Sequence, residues 1–244
     1  MTFCLAFVCF VSIILRGLSM TRSKKNKNYL LTHGDEFMGL PILSKYEPFY
    51  TNYLTKIYNV INTSIENYPR LIGLRFDLHL PKKTNNMENS RVMTSFIRSL
   101  QMQIKFQSLN KLKLGKRVHQ CEINYVWVRE RLTADNEHYH VLILLNKDRF
   151  NWTGKIRKKG NNLTSMIIEA WARSIDVDYD EALDLVHFSK NYDGQIAVHR
   201  LDSNDINFEY KFKQLFKHAS YLAKETTKMF GSHRRNIGTS RMRR

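Results

Sequence analysis

Cysteine is almost missing from this 244-residue chain: Cys4, Cys9 and Cys121 are all it has, and two of them fall in the first ten positions. That excludes a disulfide framework and argues against a cysteine-ligated zinc site. A reducing cytoplasm is therefore the expected compartment. Proline and glycine are also scarce, at 4 and 10 residues, which excludes collagen-like and low-complexity classes. No glycine-rich phosphate loop of the Walker type occurs, so helicase work would need a partner. Acidic residues are in deficit, 22 against 39 Lys and Arg, for a formal charge of +17. An excess of that size points to a polyanionic partner, most often nucleic acid. Hydrophobic residues make up 43% of the chain, enough for a core, and this rules out disorder throughout.

Long apolar runs are lacking too, with one exception. Phe3 to Leu15 carries Ser12 as its one polar residue. It is short for a spanning helix, which needs about 20 apolar residues. No basic stretch precedes it, as a signal peptide would require. Three readings stay open for residues 1–19: translation that starts at Met20, an N-terminal anchor, or a signal peptide. Without them the charge is still +16, because they hold Arg16 and no acid. The organisation expected is an apolar segment 1–19, a basic arm over 20–44 that is mobile at 21–30, one domain over 45–230, and a flexible basic tail over 231–244. No stable membrane partner is expected.

Within the domain, Tyr50, Leu54, Ile57, Ile61 and Ile65 recur at helical spacing, which predicts a helix over 47–66. Residues 71–80 alternate: Ile72, Leu74, Phe76, Leu78 and Leu80 face one way, Arg75, Asp77 and His79 the other. A helix is expected over 90–109. Strands are expected over 118–131 and 138–145, joined by a short polar turn as an antiparallel pair. A helix over 161–174, short strands within 185–200 and a helix from about 205 to 229 complete the order. The class is α+β, a mostly antiparallel sheet flanked by helices. By their periodicity Trp127 and Trp171 belong to the core, while Trp152 can serve base stacking.

His138-Tyr139-His140 carries the sharpest chemistry. Histidines at i and i+2 of a strand point to one face and can converge on a divalent cation. Glu130, at the end of the preceding strand, can fold back beside His138 as a third ligand, and Glu137 competes for that place. Asp77 and His79 can approach if their strand pairs centrally. On the C-terminal helix Tyr221 shares a face with Lys217, Lys224 and Lys228 at helical spacing. A tyrosine on a basic face is placed to meet a phosphate, although a hydroxyl with an ordinary pKa of about 10 needs help to act as a nucleophile.

The runs RFDLHLP (75–81), WVRE (127–130), HYHVLILLN (138–146) and YLAK followed by Lys228 resemble, in order, the YagK/YfjJ C-terminal-domain family. Its members are prophage and inovirus-type replication proteins, and the family in turn looks like the HUH endonucleases, named for histidine–hydrophobic–histidine. The resemblance spans about residues 45–230. One departure is Tyr139, where an aliphatic residue is usual. The resemblance implies an HUH/Rep-like, ferredoxin-like variant fold. It implies Mg²⁺ or Mn²⁺ held by His138, His140 and Glu130. It further implies attack by Tyr221 on single-stranded DNA at a replication origin, with charge balanced by Lys224 and Lys228. Arg75 and Asp77 would sit beside the site. A single-tyrosine nickase that starts rolling-circle replication with host helicase and polymerase is the expectation. A non-catalytic DNA-binding protein of the same fold and a membrane-associated phage protein are the alternatives. The basic runs 22–27, KIRKK (155–159) and 234–244 would grip phosphates without reading sequence.

Overall fold

The computed structural model describes residues 20–81, 91–131, 137–151, 153–154, 160–228, 230 and 234–241. The segment 1–19, Trp152 and the KIRKK run lie outside the described residues. Strands β1 (Met20–Arg22), β2 (Leu30–Thr32), β3 (Glu36–Phe37), β4 (Leu40–Pro41) and β5 (Phe49–Tyr50) precede helix α1 (Thr51–Asn67). Next come β6 (Arg70–His79), α2 (Val92–Lys113), β7 (Asn124–Arg131), β8 (Glu137–Asn146), α3 (Leu163–Ile175) and α4 (Tyr179–Leu185). The chain ends with β9 (Val186–Phe188), β10 (Val198–Asp202), α5 (Phe208–Ser220), a 3-10 turn at Tyr221–Ala223, and β11 (Ile237–Thr239). The class is α+β with antiparallel pairing throughout the described sheets.

The main sheet runs β10-β6-β8-β7-β11, and β9 lies on the same edge of β6 as β10, further along. Strand alternation sorts its side chains into two layers. Ile72, Leu74, Phe76 and Leu78 share one face with Tyr139, Val141, Ile143 and Leu145, packed against α2 and α3 through Phe96 and Trp171. Leu71, Val126, Val128, Leu142 and Leu144 share the other face, under α1 and α5. That second face turns polar towards one end of the strands, where Arg75, Asp77, His79, Glu130, His138 and His140 follow in register. The helices thus cover its apolar half, and the polar half is left to the chain that follows α5.

Two local features set this geometry. Gly73 lies beneath α5, and a Cβ there would stand 3.0 Å from Leu215 Cδ1 and 3.2 Å from Leu144 Cδ2, so the missing side chain lets the helix come close. Caps fix the short elements on the opposite layer. Asn162 accepts from Ser165 N at 2.9 Å to start α3, and Asp178 accepts from Glu181 N at 2.8 Å to start α4. Each such cap is worth about 1 kcal/mol.

Several expectations are corrected. Residues 21–30 are not a mobile arm: β1 pairs with β2, Ser23 is buried, and its hydroxyl bonds Glu225. The last helix stops at Ser220 instead of running to 229. The chain beyond it finds tertiary partners that a continued helix would forfeit, with Lys224 bridged to Phe49 and Glu225 N donating to Pro48 O at 2.9 Å. The basic stretch 234–241 is not a loose tail either, because β11 adds to the sheet edge on β7. The strand expected from 118 begins at Asn124, and α4 appears where none was expected.

Candidate active site

The strand register builds the centre. Glu130 lies opposite His138 on β7–β8, and His138 lies opposite His79 on β8–β6. One step along, His140 is opposite Asp77. All of these side chains share the polar half of the sheet. His138 and His140 bring their Nε2 atoms within 3.3 Å of each other. Glu130 Oε2 lies 3.0 Å from His140 Nε2 and 3.8 Å from His138 Nε2. The three residues are buried, and their ligand atoms fall within 4.8 Å of one another. Asp77 Oδ1 meets His140 Nδ1 at 2.6 Å. A carboxylate on the far nitrogen fixes the ring and leaves Nε2 directed at the centre, the usual support of a metal-ligating imidazole. Two imidazoles and a carboxylate fit a divalent cation, Mn²⁺ better than Mg²⁺, which favours an all-oxygen shell.

The chain after α5 closes over this centre as a strap. Tyr221 stands at the helix end, its ring 4.9 Å from the His140 ring and edge-on to it. Lys224 Nζ donates to the Tyr221 hydroxyl at 2.6 Å and lies 3.1 Å from Glu130 Oε2, which links nucleophile candidate and ligand candidate through one ammonium. Arg75 lies over the Tyr221 ring at 4.5 Å and is held by its Nε–H to Ser189 Oγ at 2.8 Å. Thr227 donates to Glu130 Oε2, and Lys228 donates to Glu130 Oε1. The strap is itself pinned by Arg131 N to Thr227 O at 3.3 Å and by Lys25 Nζ to Glu225 O at 3.1 Å.

Burial and charged partners compete over the ionisation of these groups. It opposes ionisation of Glu130, but Lys228, His140 and Lys224 outweigh it and hold the carboxyl well below the usual carboxylate range. For Asp77 burial is likewise overcome by the bond from His140. Burial pushes the Lys228 ammonium down to about 8, with Glu130 working against it. His79 is pushed down to about 4 by burial and by its neighbours His138 and His187.

The YagK/YfjJ C-terminal domain profile matches residues 32–240. The chain belongs to that family. Two relatives from Escherichia coli (strain K12) bear it out. The uncharacterized protein YagK is 30% identical over 198 residues, covering 78% of this chain and 92% of its own. The uncharacterized protein YfjJ is 29% identical over 199 residues, covering 78% and 93%. No solved structure matches.

In this member of the YagK/YfjJ family, nine of the ten residues singled out from the sequence gather at one end of the sheet: Tyr221, Lys224, Lys228, His138, His140, Glu130, Arg75, Asp77 and His79. Lys217 does not join them. It lies a turn earlier on α5 and has no hydrogen bond or ion pair with these groups among the described residues. Glu137, the competitor of Glu130, points to the opposite face, where Arg234 Nη2 donates to it at 2.7 Å and Tyr139 Oη at 2.9 Å. His79 stacks on His138 at 5.0 Å rather than joining the ligand atoms.

Sequence reasoning missed three neighbours. Tyr46, on a single 3-10 turn, packs edge-on to Tyr221 at 4.8 Å, and no pattern marks it. His187 lies 4.6 Å from His79, and its place between inward Val186 and Phe188 was a readable signal. Thr227 carried none. Among the described residues no helix is long and apolar enough to cross a membrane.

Proposed function

We propose that the protein nicks and rejoins single-stranded DNA through a tyrosyl–DNA intermediate, as an HUH-type endonuclease of Rep-like, ferredoxin-variant architecture. The observation that carries this reading is one connected chain: Tyr221 hydroxyl to Lys224, Lys224 to Glu130, and Glu130 to the His138–His140 pair. Mg²⁺ or Mn²⁺ held by His138, His140 and Glu130 would supply Lewis-acid polarisation of the scissile phosphate. Asp77 keeps His140 in the ligating orientation. Arg75 and Lys224 hold the Tyr221 ring and hydroxyl, and their charges balance the phosphate oxygens. The Tyr221 oxygen attacks phosphorus, the bond to the 3′ oxygen breaks, and the phenolic proton ends on the freed 3′-hydroxyl. The product is a 5′-phosphotyrosyl link with a 3′ end able to prime rolling-circle synthesis by host helicase and polymerase. A later attack by a 3′-hydroxyl on the same link closes the circle and restores Tyr221.

One observation favours a second reading, a DNA-binding protein of the same fold without chemistry. Both Glu130 oxygens are already engaged, by Lys228 on one side and by Thr227, Lys224 and His140 on the other. A cleavage assay separates the two. Labelled single-stranded DNA from the element's origin region is expected to be cut at a defined position with Mn²⁺. Cutting should stop with EDTA or His138→Ala/His140→Ala, while binding persists. Binding without cutting under every metal would select the second reading.

A further inference from the structure

Phe230 and β11 help to wall a cavity of about 420 Å³, which none of the chemistry above uses. Tyr29, Tyr53 and Phe230 form its aromatic side, with Tyr29 and Phe230 at 5.3 Å and only 34° apart in plane. Lys56, Arg234 and Arg235 form its charged side, and no acidic residue lines it among the described residues. Arg234 is committed to Glu137 and Tyr139, which leaves Lys56 and Arg235 exposed at the rim. The third wall is the outer edge of the sheet. Asn236 O accepts from Arg129 N at 2.9 Å and Ser240 N donates to Tyr125 O at 3.0 Å. Antiparallel alternation then directs the N–H groups of Ile237 and Thr239 away from β7, towards the cavity that these residues line.

We propose that this cavity binds a nucleoside phosphate. The base lies against Tyr29 and Phe230, an arrangement that tolerates any base because each offers a π face. The phosphate meets Lys56, Arg235 and the outward amides of β11. A bare anion has no use for the aromatic wall, and an apolar ligand has none for the two cations at the rim. The ligand is either a free nucleotide or one unit of a strand, and the proposal stands apart from the Tyr221 chemistry.

The test uses the full chain carrying Tyr221→Phe, in EDTA, with fluorescein-labelled oligothymidylate read by anisotropy. Lys56→Glu/Arg235→Glu is compared with a charge-matched pair on the opposite layer, Lys105→Glu/Lys113→Glu on α2. Unchanged thermal midpoints confirm that each variant folds. The cavity pair is expected to lose about tenfold or more in affinity beyond the control pair. Thymidine 5′-monophosphate should displace the probe at lower concentration than inorganic phosphate if free nucleotides are the ligand. Displacement by short oligonucleotides, with the monophosphate and phosphate both inert, assigns the site to a strand. Equal losses in the two pairs, or phosphate competing as well as the monophosphate, would overturn the proposal.

Discussion

Glu130 is the residue on which the site turns. Its carboxylate sits almost fully buried between two lysines, a threonine and a histidine. Burying a charge is tolerable only with partners, so removing one exposes the cost. Lys228→Met is expected to destabilise the fold by about 3–5 kcal/mol, the range for a broken buried pair. Glu130→Gln added to it should recover most of that loss. Denaturant midpoints read both, and a double variant no better than the single would count against the pairing. Asp77 acts at one remove, through His140. Asp77→Asn is expected to weaken Mn²⁺ binding by about 10–100-fold in calorimetry with little change in fold. Unaltered affinity would show that the carboxylate does not orient the ring. Most of these residues were legible because a strand has a period of two: His138 with His140, and Arg75 with Asp77 and His79, could only share a face. Their convergence with Lys228 was not, since that contact joins positions 98 residues apart.

At the scale of elements, the strap after α5 is where helical periodicity misled. Tyr221, Lys224 and Lys228 keep one face of a helix on paper, yet the helix ends at Ser220, and the lysines reach Glu130 from irregular chain. Tertiary bonds to Pro48, Arg131 and Lys25 outweigh local propensity there, and no local pattern encodes them. Nor did the Arg-rich composition of 231–244 reveal β11, a strand of three residues. Gly238 is what lets it dock: a Cβ would fall 2.4 Å from the Trp127 ring. Gly238→Ala should therefore loosen β11, seen as faster exchange of the Arg129 and Ser240 amides that bond across this edge, and unchanged protection would refute this. A second joint ties β10 to α5, where His199 Nε2 and His218 Nδ1 lie 2.8 Å apart. That bond needs one of the two rings neutral to accept it, and a proton on either buried ring carries a desolvation cost. Burial first, then Arg75, pushes His199 down to about 4 and His218 to about 3. With folded values below the unfolded 6.5, the unfolded chain takes up protons first. The stability this pair adds is complete above about pH 6.5 and is lost as pH falls towards 4. Urea midpoints should drop over that window, and His199→Gln/His218→Gln should flatten the drop, leaving the part due to His79. An identical slope in the double variant would contradict it.

For the whole molecule, the two faces of one antiparallel sheet divide the work. One face is packed by α2 and α3 for stability, while the other is packed over half its length and chemically loaded over the rest. The charge of +17 follows this division only in part. Lys224, Lys228 and Arg75 are turned inward on the site, whereas Lys56 and Arg235 rim the cavity at the β11 edge. The most direct test of the account is the identity of the residue that becomes linked to DNA. The protein is incubated with single-stranded origin DNA and Mn²⁺, digested with nuclease and trypsin, and analysed by mass spectrometry. The expected result is a nucleotide joined through its 5′-phosphate to the peptide that holds Tyr221, absent from Tyr221→Phe. A link on neighbouring Tyr46, or cleavage with no covalent peptide at all, would contradict it.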